Sequence, residues 1–425
     1  MSPTGAVGGT PVYALVTGGG TGGHVYPGLA LAEALAARGH PRESLHWVGS
    51  AGKLEETAVP AAGFTIDVLP GRGLQRRLTV ENVSVLWKTT RAFGRAMRIV
   101  RRRRPEVVVG VGGYASLPCL VAARLQRIPA VVHEQNAAPG LANRIAVRLG
   151  AHAAVSLPGT PLPGAVVTGN PVRAAVVAVE RHPSPERPLV AIFGGSLGAR
   201  RINEAAAELY DQWRGRGDVT LHHVSGAAGH QAAEAARAGA RRDGDAVTYR
   251  LLRYEDEMPG LYAVTTIAVC RAGATTVAEL AAAGVPSVLV PLPGAPGDHQ
   301  TRNAMALVDA GAAVLVPDAE CTGARLAAEL EPLLGDPARL EAMAAAARTL
   351  ARPHAADDLA ALVEAVASTR QARFWRLRRP GRGPNPALLR SVEYGKRSRF
   401  RRSQPAVPVL IGPLPHAGRD SEPAS

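Results

Sequence analysis

The chain has 425 residues, 46% of them hydrophobic and only 4% aromatic, with 49 Lys/Arg against 35 Asp/Glu for a net charge of +14. That length allows two full domains and something more, and the Ala-, Gly- and Val-rich composition suits α/β layers rather than a fibrous or disulfide-stapled class. Cys119, Cys270 and Cys321 stand far apart without a CxxC spacing, which excludes a cysteine zinc site and reads as small buried side chains of a reducing compartment.

No stretch approaches the ~20 apolar residues of a spanning helix. Residues 1–10 show neither a basic patch nor an apolar h-region, so no signal peptide is expected and the cytoplasm is the expected compartment. The charge is unevenly placed. Residues 370–425 hold 13 Lys/Arg against Glu393, Asp420 and Glu422, a net of +10, which leaves +4 for the other 369 residues. A basic tail has several possible partners, but the folded part holds too little net charge for nucleic-acid binding to be the main function, and no nucleic acid partner is expected.

In chain order, β-type apolar runs at 12–17, 46–49, 64–69, 107–111, 130–133 and 153–157 alternate with helical patterns at 28–38, 80–103 and 117–127. The alternation predicts parallel sheets with helices on both faces. Pro27 stands just inside the first helix, where a helix start tolerates proline. A break follows Gly169-Asn170-Pro171-Val172-Arg173, and the proline-studded stretch 180–188 reads as an interdomain connection. Strands are expected again at 189–193, 220–224, 247–252, 267–270, 287–290 and 313–316, followed by helices at 322–335, 338–351 and 355–369. From Arg370 the Arg, Pro, Ser and Gly content predicts a largely disordered segment.

Two glycine-rich turns occupy equivalent strand-to-helix junctions: Gly18-Gly19-Gly20-Thr21-Gly22-Gly23-His24 and Gly194-Gly195-Ser196-Leu197-Gly198-Ala199. Glycines let the backbone approach a phosphate, and the helix start supplies free N–H groups and a positive dipole end. Two such loops suggest two nucleotide-type folds facing one cleft, in an enzyme of phosphorylated substrates. Gly18-x-Gly20-x-x-Gly23 satisfies the dinucleotide fingerprint, but the second strand ends Trp47-Val48-Gly49-Ser50 with no carboxylate until Glu55, so the acid that would hold a ribose is missing. His24-Val25 stand where a P-loop needs Lys and Ser/Thr. No Asp-x-Asp pair lies near either loop, so neither a bound metal nor any other cofactor is expected.

The fuller wording comprises seven motifs: Thr17 to Pro27, Gly112 to Pro118, His133-Glu134-Gln135-Asn136 to Gly140, Gly169 to Arg173, Gly194 to Arg200, Arg271 to Glu279 and Asp298 to Ala304. In this order and spacing they closely resemble the MurG family of bacterial peptidoglycan glycosyltransferases over about residues 12–369. The resemblance implies a GT-B fold, α/β with two Rossmann-like domains. The acceptor and membrane-side domain is 1–171, completed by about 352–369; the UDP-sugar domain is 172–351; the basic tail is 370–425. It further implies inverting transfer of N-acetylglucosamine from UDP to O4 of the muramoyl unit of lipid I, an undecaprenyl-pyrophosphate-linked acceptor, giving lipid II. The implied place is the cytoplasmic side of the cell membrane, peripherally attached to the inner membrane surface. Two departures stand out: Leu197 replaces the family's usual Gln, and Phe-Ile-Asp-Asp-Met appears as Tyr254-Glu255-Asp256-Glu257-Met258.

The resemblance assigns Glu279 to ribose recognition, although Thr276-x-x-Glu279 also reads as a capping box. Ser196 joins the donor phosphate cradle, Gln300 reaches the donor sugar, and Asn136, Arg173, Ala274, Thr275 and Thr276 are further substrate-binding carry-overs. On the acceptor side, Thr21, Gly22 and Gly23, with Gly113 and Tyr114, are expected to hold the acceptor pyrophosphate, with His133 and Glu134 near it. His24 is the candidate general base, because imidazole titrates near working pH; shaping the loop is its alternative role. Residues 72–104 mix apolar side chains with many arginines, a pattern of either a core stripe or an anionic-membrane interface.

Overall fold

The computed structural model describes residues 12–70, 82–195 and 198–378. Its first half runs β1 (Ala14–Thr17), α1 (Gly22–Ala37), β2 (Leu45–Ser50), α2 (Glu55–Ala61), β3 (Thr65–Leu69), α3 (Asn82–Arg103), β4 (Val107–Gly110), α4 (Ser116–Leu125), β5 (Ala130–Glu134), α5 (Leu141–Arg148), β6 (His152–Val155) and β7 (Val166–Val167). Among the described residues these strands form one sheet of order β3-β2-β1-β4-β5-β6-β7, and every pairing is parallel. The central strands β1, β2, β4 and β5 are buried at every position, as expected for a sheet covered on both faces. The edge strand β7 escapes the sequence reading because two exposed valines carry no periodicity.

The second half follows as α6 (Ala174–Val177), β8 (Leu189–Phe193), α7 (Arg200–Gln212), β9 (Thr220–Val224), α8 (His230–Ala240), β10 (Thr248–Leu252), α9 (Met258–Val264), β11 (Ile267–Cys270), α10 (Ala274–Ala283), β12 (Ser287–Leu289), α11 (His299–Asp309), β13 (Ala313–Leu315), α12 (Gly323–Leu334), α13 (Pro337–Thr349) and α14 (Ala355–Arg378). Its sheet has order β10-β9-β8-β11-β12-β13, again all parallel. In both sheets the order reverses beside the first strand, which places a binding crevice at the carboxyl ends of the strands. Each sheet has a core on either face. Leu359, Ala360, Val363, Val366 and Ala367 of the last helix pack against Ala14, Val16, Leu31 and Trp47 of the first half, so the chain ends its folded course on the sheet where it began.

Three expectations change. The first helix begins at Gly22, so Pro27 lies in its second turn rather than at its start and removes the bond that residue 27 would donate to the Gly23 carbonyl. The stretch 180–188 runs along the second half: Val172, Val176 and Val179 already pack into that core, His182 N donates to Ala263 O, and Arg181 donates to the carbonyls of Gly284 and Thr265. The last helix continues past 369 to Arg378, because no strong helix breaker occurs before Pro380. Residues 72–81 and 379–425 lie outside the described residues, so the apolar-and-arginine pattern and the tail are followed only in part. In α3 the buried Ala92, Ala96, Ile99 and Val100 face the core, while Arg91, Arg95, Arg98 and Arg102 lie exposed along the other side. That is the 3.6-residue amphipathic division.

Candidate functional site

A cleft of about 1250 Å³ lies between the two sheets and is lined from both. A single small-molecule site occupies roughly 300–1,000 Å³, so the cleft has room for the reacting ends of two substrates.

The first-half wall is the turn from β1 into α1. The Gly18, Gly19 and Gly20 amides all donate inward, to Val48 O (3.2 Å), Gly112 O (3.2 Å) and the Glu55 carboxylate (2.8 Å). Glu55 is fully buried and also accepts from Ser50 N at 2.9 Å. A Cβ on Gly19 would stand 2.1 Å from that carboxylate, and one on Gly113 would stand 2.3 Å from Gly19 O, so both positions need glycine. Thr21 then caps α1, and the Gly22 and Gly23 amides, which have no helical partner, open on the cleft. The His24 Nδ1 lies 3.4 Å from Thr21 Oγ1, and the ring also bonds the Gly19 backbone. Burial lowers the His24 pKa; Glu134 and Glu55 oppose that shift.

Glu134 organises the neighbouring loop. One oxygen accepts from the Asn136 amide (3.0 Å) and side chain (3.2 Å); the other accepts from Gly140 N and Asn143 Nδ2, both at 2.8 Å. Asn136 also accepts from Asn303 Nδ2 at 3.2 Å, and Asn303 Oδ1 accepts from Ala137 N at 2.9 Å. Asn303 belongs to α11, so these bonds join the two halves at the cleft floor. Two residues expected on the acceptor side do not open on the cleft. His133 is wholly buried, bonded to Gly169 O (2.9 Å) and Gln135 (3.0 Å), with burial pushing its pKa down to about 4. Tyr114 packs against the first-half core with its hydroxyl buried. Gly113 and Glu134 do line the cleft.

The second-half wall centres on α10. Its cap is Gly273, with no side-chain bond to the first-turn amides, so the capping-box alternative for Thr276 and Glu279 fails: Thr276 already sits inside the helix. Ala274, Thr275 and Thr276 line the cleft, and a Cβ on Gly23 of α1 would lie 3.9 Å from Thr275 Oγ1. The N-termini of α1 and α10 therefore meet across the cleft, two positive dipole ends side by side. Glu279, 7% exposed, accepts from Arg173 at 3.3 Å and from the Tyr262 hydroxyl at 3.0 Å. Burial raises its pKa, with Arg173 opposing. The Arg173 guanidinium also lies 5.2 Å from the Tyr26 ring centre. Burial and a hydrogen bond with Tyr254 push the Tyr26 hydroxyl up to about 12. Gln300 lines the cleft, its oxygen accepting from Leu292 N at 2.9 Å. Ser196 and Leu197 lie outside the described residues.

Glu55, Tyr26, Tyr262 and Asn303 are site residues that the sequence reading did not assign. Asn303 and Tyr26 sit within quoted motifs; Tyr262 carries no local signal. Among the described residues no group of three His, Cys, Asp or Glu side chains is arranged to hold a metal.

Two parallel α/β halves, each offering a helix N-terminus to one cleft and one backed by a buried carboxylate, define a glycosyltransferase of GT-B fold. The chain belongs to glycosyltransferase family 28: the family's N-terminal domain matches residues 14–155 and its C-terminal domain residues 189–359. Curated relatives carry the name UDP-N-acetylglucosamine–N-acetylmuramyl-(pentapeptide) pyrophosphoryl-undecaprenol N-acetylglucosamine transferase. The one from Desulforudis audaxviator is 38% identical over 369 residues, covering 83% of this chain and 98% of the relative. The one from Alkalilimnicola ehrlichii is 43% identical over 356 residues, covering 81% and 96%. The crystal structure of MurG from Acinetobacter baumannii is similar with a TM-score of 0.66 and 31% identity, covering 84% of this chain and 100% of that one. A putative UDP-N-acetylglucosamine 2-epimerase from Listeria monocytogenes, at 13% identity and a TM-score of 0.57, shares the fold alone.

Proposed function

We propose that this protein transfers N-acetylglucosamine, with inversion, from UDP-N-acetylglucosamine to O4 of the N-acetylmuramoyl unit of undecaprenyl-pyrophosphoryl-N-acetylmuramoyl-pentapeptide, forming lipid II. The observation that carries the reading is the meeting of α1 and α10 across the cleft, with His24 behind one N-terminus and Glu279 behind the other. Each substrate brings a diphosphate, and an uncapped helix start is an anion site. Thr21, Gly22 and Gly23, with Gly113, take the acceptor diphosphate. Ala274, Thr275 and Thr276, with Arg173 and Ser196, take that of the donor. Glu279 accepts from the ribose hydroxyls, Gln300 contacts the transferred sugar, and Glu134 with Asn136 shapes the floor between them.

The acceptor O4 forms a bond to the anomeric carbon as the bond from that carbon to the UDP oxygen breaks. The O4 proton passes to His24, whose lowered pKa keeps it neutral and able to accept. Helix amides and Arg173 stabilise the charge that develops on UDP. Incubation with UDP-N-acetylglucosamine and lipid I tests the reading: release of one UDP per disaccharide-lipid formed supports it, and no release overturns it.

No described helix is long and apolar enough to cross a membrane. The exposed arginine row of α3 supports peripheral attachment to an anionic lipid surface, where each basic residue contributes about 1 kcal/mol. The basic residues of the tail add to the same attraction.

A further inference from the structure

The loop at 253–257, where the chain departs from the family's wording, joins β10 to α9 and forms part of the cleft wall through Tyr254, Glu255 and Asp256. A carboxylate in place of an isoleucine at such a wall loses water, which disfavours its charge unless donors replace the lost hydration. Glu255 has those donors. Its Oε2 accepts from His222 Nε2 at 3.1 Å, and its Oε1 accepts from Glu257 N at 3.0 Å. The two side chains are only 12% and 16% exposed. His222 belongs to the buried sheet, on β9, in register with Ala191 of β8 and Arg250 of β10. Its neighbour His223 bonds Tyr249 and Asn203 instead. One carboxylate thus ties the loop both to the rigid sheet and to the entry of α9.

That placement matters for the donor. Met258 and Tyr262 of α9 line the cleft one turn apart, and Tyr262 bonds Glu279. With phosphates at the start of α10 and ribose at Glu279, a nucleotide's base extends toward the start of α9 and the 253–257 loop. We infer that His222 and Glu255 form a positioning strap that presets this loop as the base-side wall of the donor site, setting donor affinity rather than the rate of transfer. This rests on the donor being a UDP-sugar.

The test measures UDP affinity by calorimetry, and donor KM and kcat with a soluble lipid I analogue, for wild type, Glu255→Ala, His222→Leu, their double mutant and His222→Gln. Each single loss should weaken UDP binding and raise donor KM about tenfold, the scale of one charge-assisted hydrogen bond, with kcat within about twofold. The double mutant should be no worse than the worse single, because the two residues act as one unit. His222→Gln keeps an N–H for the carboxylate and should recover most of the affinity. Unchanged UDP affinity in both single mutants, additive losses in the double, or a fall in kcat at constant KM overturns the strap. Should Glu255→Ala fail to fold, His222→Gln against His222→Leu decides: equal affinities overturn it. Failure of wild type to bind UDP at all strikes instead at the donor assignment.

Discussion

Glu279→Gln separates ligand recognition from folding at the residue proposed to hold the donor ribose. The substitution keeps shape and an acceptor for the Tyr262 hydroxyl (3.0 Å) while removing the charge that faces Arg173 (3.3 Å). Burial raises the Glu279 pKa above its unfolded value. A carboxyl so shifted binds more protons in the folded state, so stability falls as pH rises between the unfolded and folded pKa. Above the folded pKa that penalty is present, so neutralising the residue should leave the melting temperature at alkaline pH equal or slightly higher. Arg173 loses a partner but stays about a third exposed, where solvent screens its charge. Ligand binding behaves oppositely. A charge-assisted bond to ribose contributes roughly 1.5–3 kcal/mol, so UDP affinity should fall about tenfold to a hundredfold. The raised pKa also predicts that wild-type UDP affinity declines on acidification at a pH above the ordinary carboxylate range, a decline absent from Glu279→Gln. Calorimetric titration with UDP and thermal melts at pH 8 and below check all three. A mutant that melts several degrees lower yet binds UDP normally would refute the ribose role and make Glu279 a structural residue.

His24→Ala should lower kcat by about 10²–10⁴-fold with UDP affinity unchanged, and the acid limb of the wild-type kcat profile should lie below the usual histidine range because burial lowers its pKa; a loss of tenfold or less would reduce His24 to shaping the loop. Gln300→Ala should raise donor KM and narrow the preference for UDP-N-acetylglucosamine over UDP-glucose, measured by competing the two sugars; an unchanged preference removes Gln300 from sugar recognition. Deleting residues 379–425 should weaken binding to anionic vesicles, most clearly at low salt, and leave UDP release from a soluble lipid I analogue unchanged; loss of that release would give the tail a part in the chemistry.

Much of the architecture was legible because its signals are local. The strands at Val107–Gly110, Leu189–Phe193 and Ile267–Cys270 carry continuous apolar runs, and the glycine turns mark the helix starts beside the cleft. At the site, motifs marked many of the lining residues, as in Glu134-Gln135-Asn136 and Ala274-Thr275-Thr276, but not which of them pair. Tyr262 reaches Glu279 from another helix, and Asn303 reaches Asn136 from 167 residues away; no periodicity encodes such pairings. The capping-box alternative at Thr276 failed for a local reason. Gly273 already adopts the extended backbone of a cap, so the helix starts two residues before the threonine that matched the pattern.

The first glycine turn shows how an equivalent motif takes a different job. A dinucleotide site needs its glycine amides free and a ribose-binding acid at the end of the second strand. Here the strand ends at Ser50, and the next carboxylate, Glu55, folds back at the start of α2 to accept from both Ser50 and Gly20. With Gly18 and Gly19 bonded to Val48 and Gly112, that upper turn has no amide left for a cofactor phosphate, and Glu55 adds a negative charge beneath it. The amides left free are those of Gly22 and Gly23 at the start of α1, which face α10 rather than their own sheet. The acid that seemed displaced from a nucleotide fingerprint instead closes the turn that a cofactor phosphate would need, which supports the proposal that only the second fold takes the nucleotide.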